Sequence, residues 1–396
     1  MNRMHEAMAK HVERRAVPGV VAAVSRGGEV EVVVVGTLEV GGKAPMRRDT
    51  LFRIASMSKP VTAVAAMALV EDGKLALDAP LETLLPELAH CRVLRRLDGP
   101  LDDTVPAARA ITLRDLLTMR MGFGIVWGPR DATPIQRAAD ALHLGAFGPP
   151  RPLETPAPDE WMRRFASLPL MHQPGERWMY NTSIEVLSVL VARAAGKPFP
   201  VFLEERIFGP LGMKDTSFSV PASKVDRLAT SYVPKDMLAV DAGALDVYDP
   251  AAGGQWATPP AFPSGAAGLV STVDDYLAFG HMMLGRGALG RARILSAASV
   301  DAMTTDQLTA DEKALSEVYP PGYWKNHGWG YAMEVVTGPD DYTPVPGRYG
   351  WDGGLGTSWR SDPARGLIGV LMTQLMAFPG AAGVYRDFWT EALRGA

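Results

Sequence analysis

Only one cysteine, Cys91, stands among 396 residues, which excludes an intrachain disulfide framework and a thiolate metal cluster. Its expected place is as a small, buried or half-buried side chain. An excess of either charge is missing too: 40 Lys and Arg face 44 Asp and Glu, a formal net charge of -4. That balance offers no general attraction for nucleic acid or anionic membrane, and neither is expected as a partner. Long apolar runs are absent, and the stretch 61–70 is too short to span a bilayer. Residues 1–15 carry charges throughout and lack the apolar core and small-residue cleavage site of an export signal. With Met4, Ala7, Met8 and Val12 at helical spacing they predict an amphipathic surface helix, and a cytoplasmic protein is expected. No serine lies in Gly-x-Ser-x-Gly, and the seven histidines form neither His-Glu-x-x-His nor His-x-His. These absences argue against an α/β-hydrolase and a metallohydrolase, and no metal or cofactor is expected.

What is present is enough apolar material, 47% of residues, for a large core, in a chain long enough for two domains or one with an insertion. Valine-rich runs at 20–24 and 30–35, around Ser25-Arg-Gly-Gly-Glu29, predict a β-hairpin. Residues 58–72 predict a helix that is apolar nearly all round, hence buried, with Gly73 as its stop. Helical patterns then dominate (111–118, 158–168, 183–195, 199–207) between Pro- and Gly-rich connections. One connection, 122–158, holds seven prolines and reads as a flap over the site or a wall beside it. Strands return at 328–336, 357–360 and 367–376, with helices at 272–284 and 296–304. An apolar helical stripe of Val384, Tyr385, Phe388, Trp389, Ala392 and Leu393 closes the chain. The expected organisation is a discontinuous α/β domain, 1–77 and 216–396, with a helical domain at 78–215.

Three segments carry candidate chemistry. Ser56-Met-Ser-Lys59 follows Leu51-Phe-Arg-Ile-Ala55 and opens the buried helix. Positions i and i+3 share a helix face, so Lys59 Nζ reaches back towards Ser56 Oγ. A serine at a helix N-terminus also sits where backbone N–H groups and the dipole favour a developing oxyanion. On an otherwise apolar helix, desolvation lowers a lysine's pKa and makes it a base. Ser-x-x-Lys alone more often marks a capping serine with a solvated lysine, but the apolar setting suits a solvated lysine poorly. Pro60 is tolerable only if the helix begins close to Ser56. In Tyr180-Asn-Thr-Ser183, Thr182 and Glu185 have capping-box spacing, which predicts a helix start there. Tyr180 then lies in the preceding loop, either pointing into a cleft or packing the loop as an aromatic anchor. Four glycines within Gly350-Trp-Asp-Gly-Gly-Leu-Gly-Thr-Ser358 let backbone approach a ligand closely, or simply shape a hairpin.

In this order the three segments resemble the class C β-lactamase and penicillin-binding-protein superfamily, and within it the family VIII carboxylesterases. Leu51-Phe-Arg-Ile-Ala-Ser-Met-Ser-Lys-Pro60 is similar to the family's nucleophile segment. Gly73-Lys-Leu-Ala-Leu-Asp-Ala-Pro80, Ile111-Thr-Leu-Arg-Asp-Leu-Leu-Thr118, Pro210-Leu-Gly-Met213 and Pro263-Ser-Gly-Ala-Ala-Gly-Leu-Val-Ser-Thr272 resemble its framework signatures. The resemblance implies an α+β, β-lactamase-like fold: an antiparallel sheet flanked by helices, with an inserted mainly helical domain. It implies a serine hydrolase of small esters, acylated at Ser56, with Lys59 and Tyr180 sharing the proton work. The oxyanion would be held by the backbone N–H groups of Ser56 and Gly354. Trp351-Asp-Gly353 stands where β-lactamases carry Lys-Thr-Gly, resembling the Trp-x-Gly of the esterases. Trp351, Asp352 and Gly353 are therefore expected at the substrate, with Asp352 repelling an anionic one if it faces the cleft. Met119-Arg-Met-Gly122 replaces the usual His-Thr-Ser-Gly and leaves the local loop geometry open. The alternatives are a β-lactamase or D-amino-acid peptidase or amidase on the same fold, or a catalytically dead ligand-binding relative. No feature of the sequence reports the oligomeric state.

Overall fold

The two valine runs pair as β1 (Gly19–Arg26) and β2 (Glu29–Gly36), joined by the Gly27-Gly28 turn, in which both glycines adopt positive φ. The computed structural model of the chain describes residues 3–128, 132–145, 148–236, 244–316, 318, 321–376 and 383–394. From the far end of the sequence come β3 (His327–Trp329), β4 (Glu334–Val336), β5 (Tyr349–Gly353), β6 (Thr357–Asp362) and β7 (Leu367–Thr373). Together they form a seven-stranded sheet in the order β3-β4-β5-β6-β7-β1-β2, antiparallel at every pairing. The single strand expected at 328–336 is thus a hairpin. Ala332, at φ 59°, turns the chain between its arms, a conformation that strand periodicity does not report.

Alternation along β1 sends Val20 and Ala22 to one face and Val21 and Ala23 to the other, and both faces are covered. On one side lie the amphipathic α1 (Arg3–Glu13) and the C-terminal helix, whose Val384, Phe388 and Trp389 pack with Met4 and Met8. Helix Val273–Leu284 covers the other side. Gly280 permits its close approach, since a Cβ there would meet Ile368 and Trp359. Beyond it the large core gathers α2 (Ser58–Glu71), α3 (Leu113–Leu117) and the helices of the middle region.

Connection 122–158 contains a helix that its proline content conceals, α4 (Pro134–Ala141). Thr133 caps it, Gln136 completes a capping box, and Pro134 occupies the first turn, where its missing N–H costs nothing. Residues 129–131 and 146–147 of that connection lie outside the described residues. The helical pattern at 158–168 is α5 (Pro158–Phe165), and that at 183–195 is α6 (Thr182–Ala195), which packs against α2 and α3. Among the described residues no single helix is long and apolar enough to cross a membrane.

Candidate active site

Four segments converge. Phe52–Arg53 pairs with Val270–Ser271 and feeds a tight 3-10 turn, Ala55–Met57, immediately ahead of α2. Ala55 holds φ 43°, which costs a non-glycine residue roughly 1 kcal/mol or more. Ser56 sits on this turn, half-buried, and Lys59 follows in the first turn of α2. Pro60 falls where a helix leaves its N–H groups unpaired in any case. The i, i+3 geometry is realised: Lys59 Nζ donates to Ser56 Oγ at 2.9 Å and to the Ala266 carbonyl at 2.8 Å. Lys59 is fully buried, and burial brings its ammonium down to about 7, against the opposing pull of the Glu185 charge.

Tyr180 does lie just before α6, and its ring centre is 4.6 Å from Lys59 Nζ. Its hydroxyl accepts a 2.6 Å hydrogen bond from Trp351 Nε1. Burial pushes the phenol well above its usual pKa, and hydrogen bonding with Ser56 and Trp351 offsets this only in part. The next residue, Asn181, is held at φ 87°, so strained backbone flanks Tyr180 as it flanks Ser56. The capping box read at Thr182 and Glu185 does not form. Asn181 is the N-cap, without a side-chain bond, and Glu185 turns inward to accept from Ser264 Oγ at 2.7 Å. Spacing fits a cap, but the loop that receives Glu185 is nearly eighty residues away and outcompetes it.

Gly353 ends β5 directly against the chain ahead of Ser56. Any Cβ there would collide with the Ile54 carbonyl and the Thr357 hydroxyl, which itself donates to Ile54 O at 3.1 Å. Gly354, next along, faces open space. Strand alternation puts Trp351 on the Tyr180 side and Asp352 on the opposite one. Asp352 accepts from Arg360 at 2.6 and 2.8 Å and from Ser358, so the repulsion expected of it in the cleft does not arise. Ser56, Lys59, Tyr180, Trp351, Gly353 and Gly354 are brought together; the Asp352 carboxylate is not.

Sequence reasoning overlooked the aromatic backing. Trp178 stacks on Tyr180 at 5.5 Å, and Trp329 meets Trp351 edge-on at 4.7 Å and Tyr180 at 6.3 Å. The Trp178-Met-Tyr180 alternation on an extended segment was its one local signal. The replaced loop at Met119-Arg-Met-Gly122 is orderly: Met119 accepts from Met179 N at 2.8 Å, and Gly122 lies flat against the His172 carbonyl. Ile125 N donates to the Tyr180 carbonyl at 2.9 Å, so the start of the proline-rich connection adjoins the site. Among the described residues no three His, Cys, Asp or Glu side chains group as a metal set.

Comparison with known proteins bears on the family and the fold. Protein Rv1367c of Mycobacterium tuberculosis is 42% identical over 87% of this chain and 82% of its own. Esterase EstB of Burkholderia gladioli is 32% identical over 97% of this chain and 91% of its own. Among solved structures, EstCE1, described as a hydrolase with promiscuous acyltransferase activity, superposes with a TM-score of 0.78. It is 24% identical and covers 99% of this chain and 98% of its own. Simvastatin synthase (LovD) from Aspergillus terreus likewise has a TM-score of 0.78, at 23% identity over 98% and 97% of the two chains. These two share the fold, and the Beta-lactamase family model matches residues 4–393. From its first helix to its last, the chain belongs to the beta-lactamase family.

Proposed function

We propose that this protein is a serine hydrolase of short-chain carboxylic esters, working through an acyl-enzyme on Ser56. One observation carries the reading: a fully buried lysine amine bonded to a half-buried serine hydroxyl, with a tyrosine ring beside both. The esterase relative, 32% identical over nearly the whole chain, supports the same class of substrate.

The chemistry follows from the proton positions. Above about pH 7 Lys59 is largely neutral and takes the Ser56 proton while Oγ attacks the ester carbonyl. Tyr180, its pKa raised, stays protonated and acts as a donor that relays the proton to the departing alcohol. The oxyanion is assigned to the backbone N–H groups of Ser56 and Gly354, as the resemblance to esterases on this fold implies. Water then repeats the cycle on the acyl-enzyme. Trp351 and Tyr180, backed by Trp329, wall one side of the cleft and favour small acyl groups, about C2 to C6 by analogy with esterases on this fold. The kcat/KM profile should rise through an acid limb centred near pH 7.

Anionic β-lactams meet an indole where β-lactamases carry the lysine of Lys-Thr-Gly. Trp351 occupies the relevant place, and Arg360 on the neighbouring strand is engaged by Asp352 and Glu334. The missing charge-assisted contact is worth roughly 1.5–3 kcal/mol, so a cephalosporin should be turned over at least about tenfold less efficiently than a butyrate ester. Ser56→Ala should abolish ester turnover without unfolding the protein. A fluorophosphonate should add one label per chain, at Ser56 by peptide mapping. Turnover by Ser56→Ala within tenfold of wild type, or labelling elsewhere, removes the assignment.

A further inference from the structure

Glu185 has no part in the chemistry just described, yet it is buried beside it. The residue is 7% exposed, and Oε1 accepts from Ser264 Oγ at 2.7 Å. A carboxylate so placed is costly unless a positive charge or a proton answers it.

The loop 264–267 joins Glu185 to Lys59. Ser264 donates to Glu185 and accepts from Ala267 N at 3.0 Å. Gly265 is clasped between α6 and α2: its N–H donates to Ser188 Oγ at 2.9 Å and its carbonyl accepts from Thr62 Oγ1 at 2.8 Å. A side chain at Gly265 would strike both hydroxyls. Ala266 then presents its carbonyl to Lys59 Nζ. Thus α6 holds the loop, and the loop holds the amine.

We propose that Glu185 is a positioning residue for Lys59: it anchors the 264–267 loop that aims the amine at Ser56, and it supplies the buried negative charge that answers the amine when protonated. The inference rests on the serine hydrolase reading. Glu185 and Lys59 oppose each other's burial, for burial raises the Glu185 carboxyl while the Ser264 hydroxyl, the Lys59 charge and the Ala266 N–H lower it. The groups facing the pair are Ser56 on the turn before α2, Tyr180 ahead of α6, and Ser264 and Ala266 of the loop. Of these only Tyr180 titrates, at high pH. Asp352 on β5 acts on the Tyr180 hydroxyl, and its own charge is paired with Arg360. When Lys59 takes the Ser56 proton, it becomes a cation in a buried site, and Glu185 is the anion that stabilises it.

The test is Glu185→Gln, which keeps the shape and an oxygen for Ser264 but removes the charge. The acid limb of kcat/KM should move to lower pH by about one unit or more, because the lysine loses its stabilising anion. The plateau should fall about tenfold or more as the base weakens. A plateau loss with an unmoved limb would reduce Glu185 to a packing role and overturn the proposal. A second measurement needs no turnover. In protein labelled with ¹³Cε-lysine, the Lys59 resonance, assigned by its loss in Lys59→Met, should titrate at lower pH in Glu185→Gln than in wild type. An unmoved Lys59 midpoint overturns the proposal even if the esterase reading stands. Failure of Ser56→Ala to abolish turnover would overturn the esterase reading while leaving the shifted midpoint intact.

Discussion

Two cations are buried on opposite sides of β5, and they have opposite fates. Lys59 meets a serine hydroxyl, a backbone carbonyl and a carboxylate set one loop away, and burial wins: its pKa drops to about 7. Burial also works against Arg360, but Asp352 grips it through two hydrogen bonds and Glu334 adds a third, so its pKa rises above the usual value. A delocalised guanidinium with a fitted carboxylate fork is locked as a structural charge, whereas an ammonium without a direct ion pair is left able to exchange its proton. One strand serves both, since Trp351 faces the lysine side and Asp352 the arginine side.

Removing each cation in turn should separate chemistry from stability. Lys59→Met should lower kcat/KM by roughly 10³–10⁴-fold while the protein stays folded, measured by butyrate ester hydrolysis beside circular dichroism. Near-full turnover would mean that the buried lysine is not the base. Arg360→Met should instead cost roughly 3 kcal/mol or more of unfolding free energy in a urea titration, because Asp352 and Glu334 are left buried without their cation. Unchanged stability there would break the contrast. A finer cut is Trp351→Phe, which keeps the ring and removes the donor to Tyr180; a loss of about 1 kcal/mol, near fivefold in kcat/KM, is expected. Cys91 gives the smallest effect. Half-buried, with its thiol raised to about 11 by burial, it should react slowly with thiol reagents, and Cys91→Ser should alter stability by roughly 0.5 kcal/mol or less.

What can be read from sequence here is what short-range geometry dictates. The β1–β2 hairpin follows from two valine runs around a Gly-Gly turn, and α2 from an uninterrupted apolar stretch closed by Gly73. The Ser56–Lys59 contact follows from their i, i+3 spacing, carried here by the 3-10 turn that runs into α2. The run of glycines announces a close backbone approach, although only the packed chain shows that it is Gly353 that makes it and that Ile54 is what it approaches.

The remainder was decided by what the folded backbone brings together. Glu185 has the spacing of a helix cap, and Ser264, brought in from across the core, draws it inward instead. Asp352 has a side chain fit for a cleft, and Arg360 on the adjacent strand sets its direction. Residues 328–336 have the composition of one strand, and positive φ at Ala332 makes them two. The sequence by itself therefore determined the Ser56–Lys59 pair and the elements that bear it, since these depend on local spacing and apolar pattern. Tertiary structure decided which carboxylate serves the lysine and which the arginine, because desolvation and charge pairing depend on residues that only the folded chain brings together.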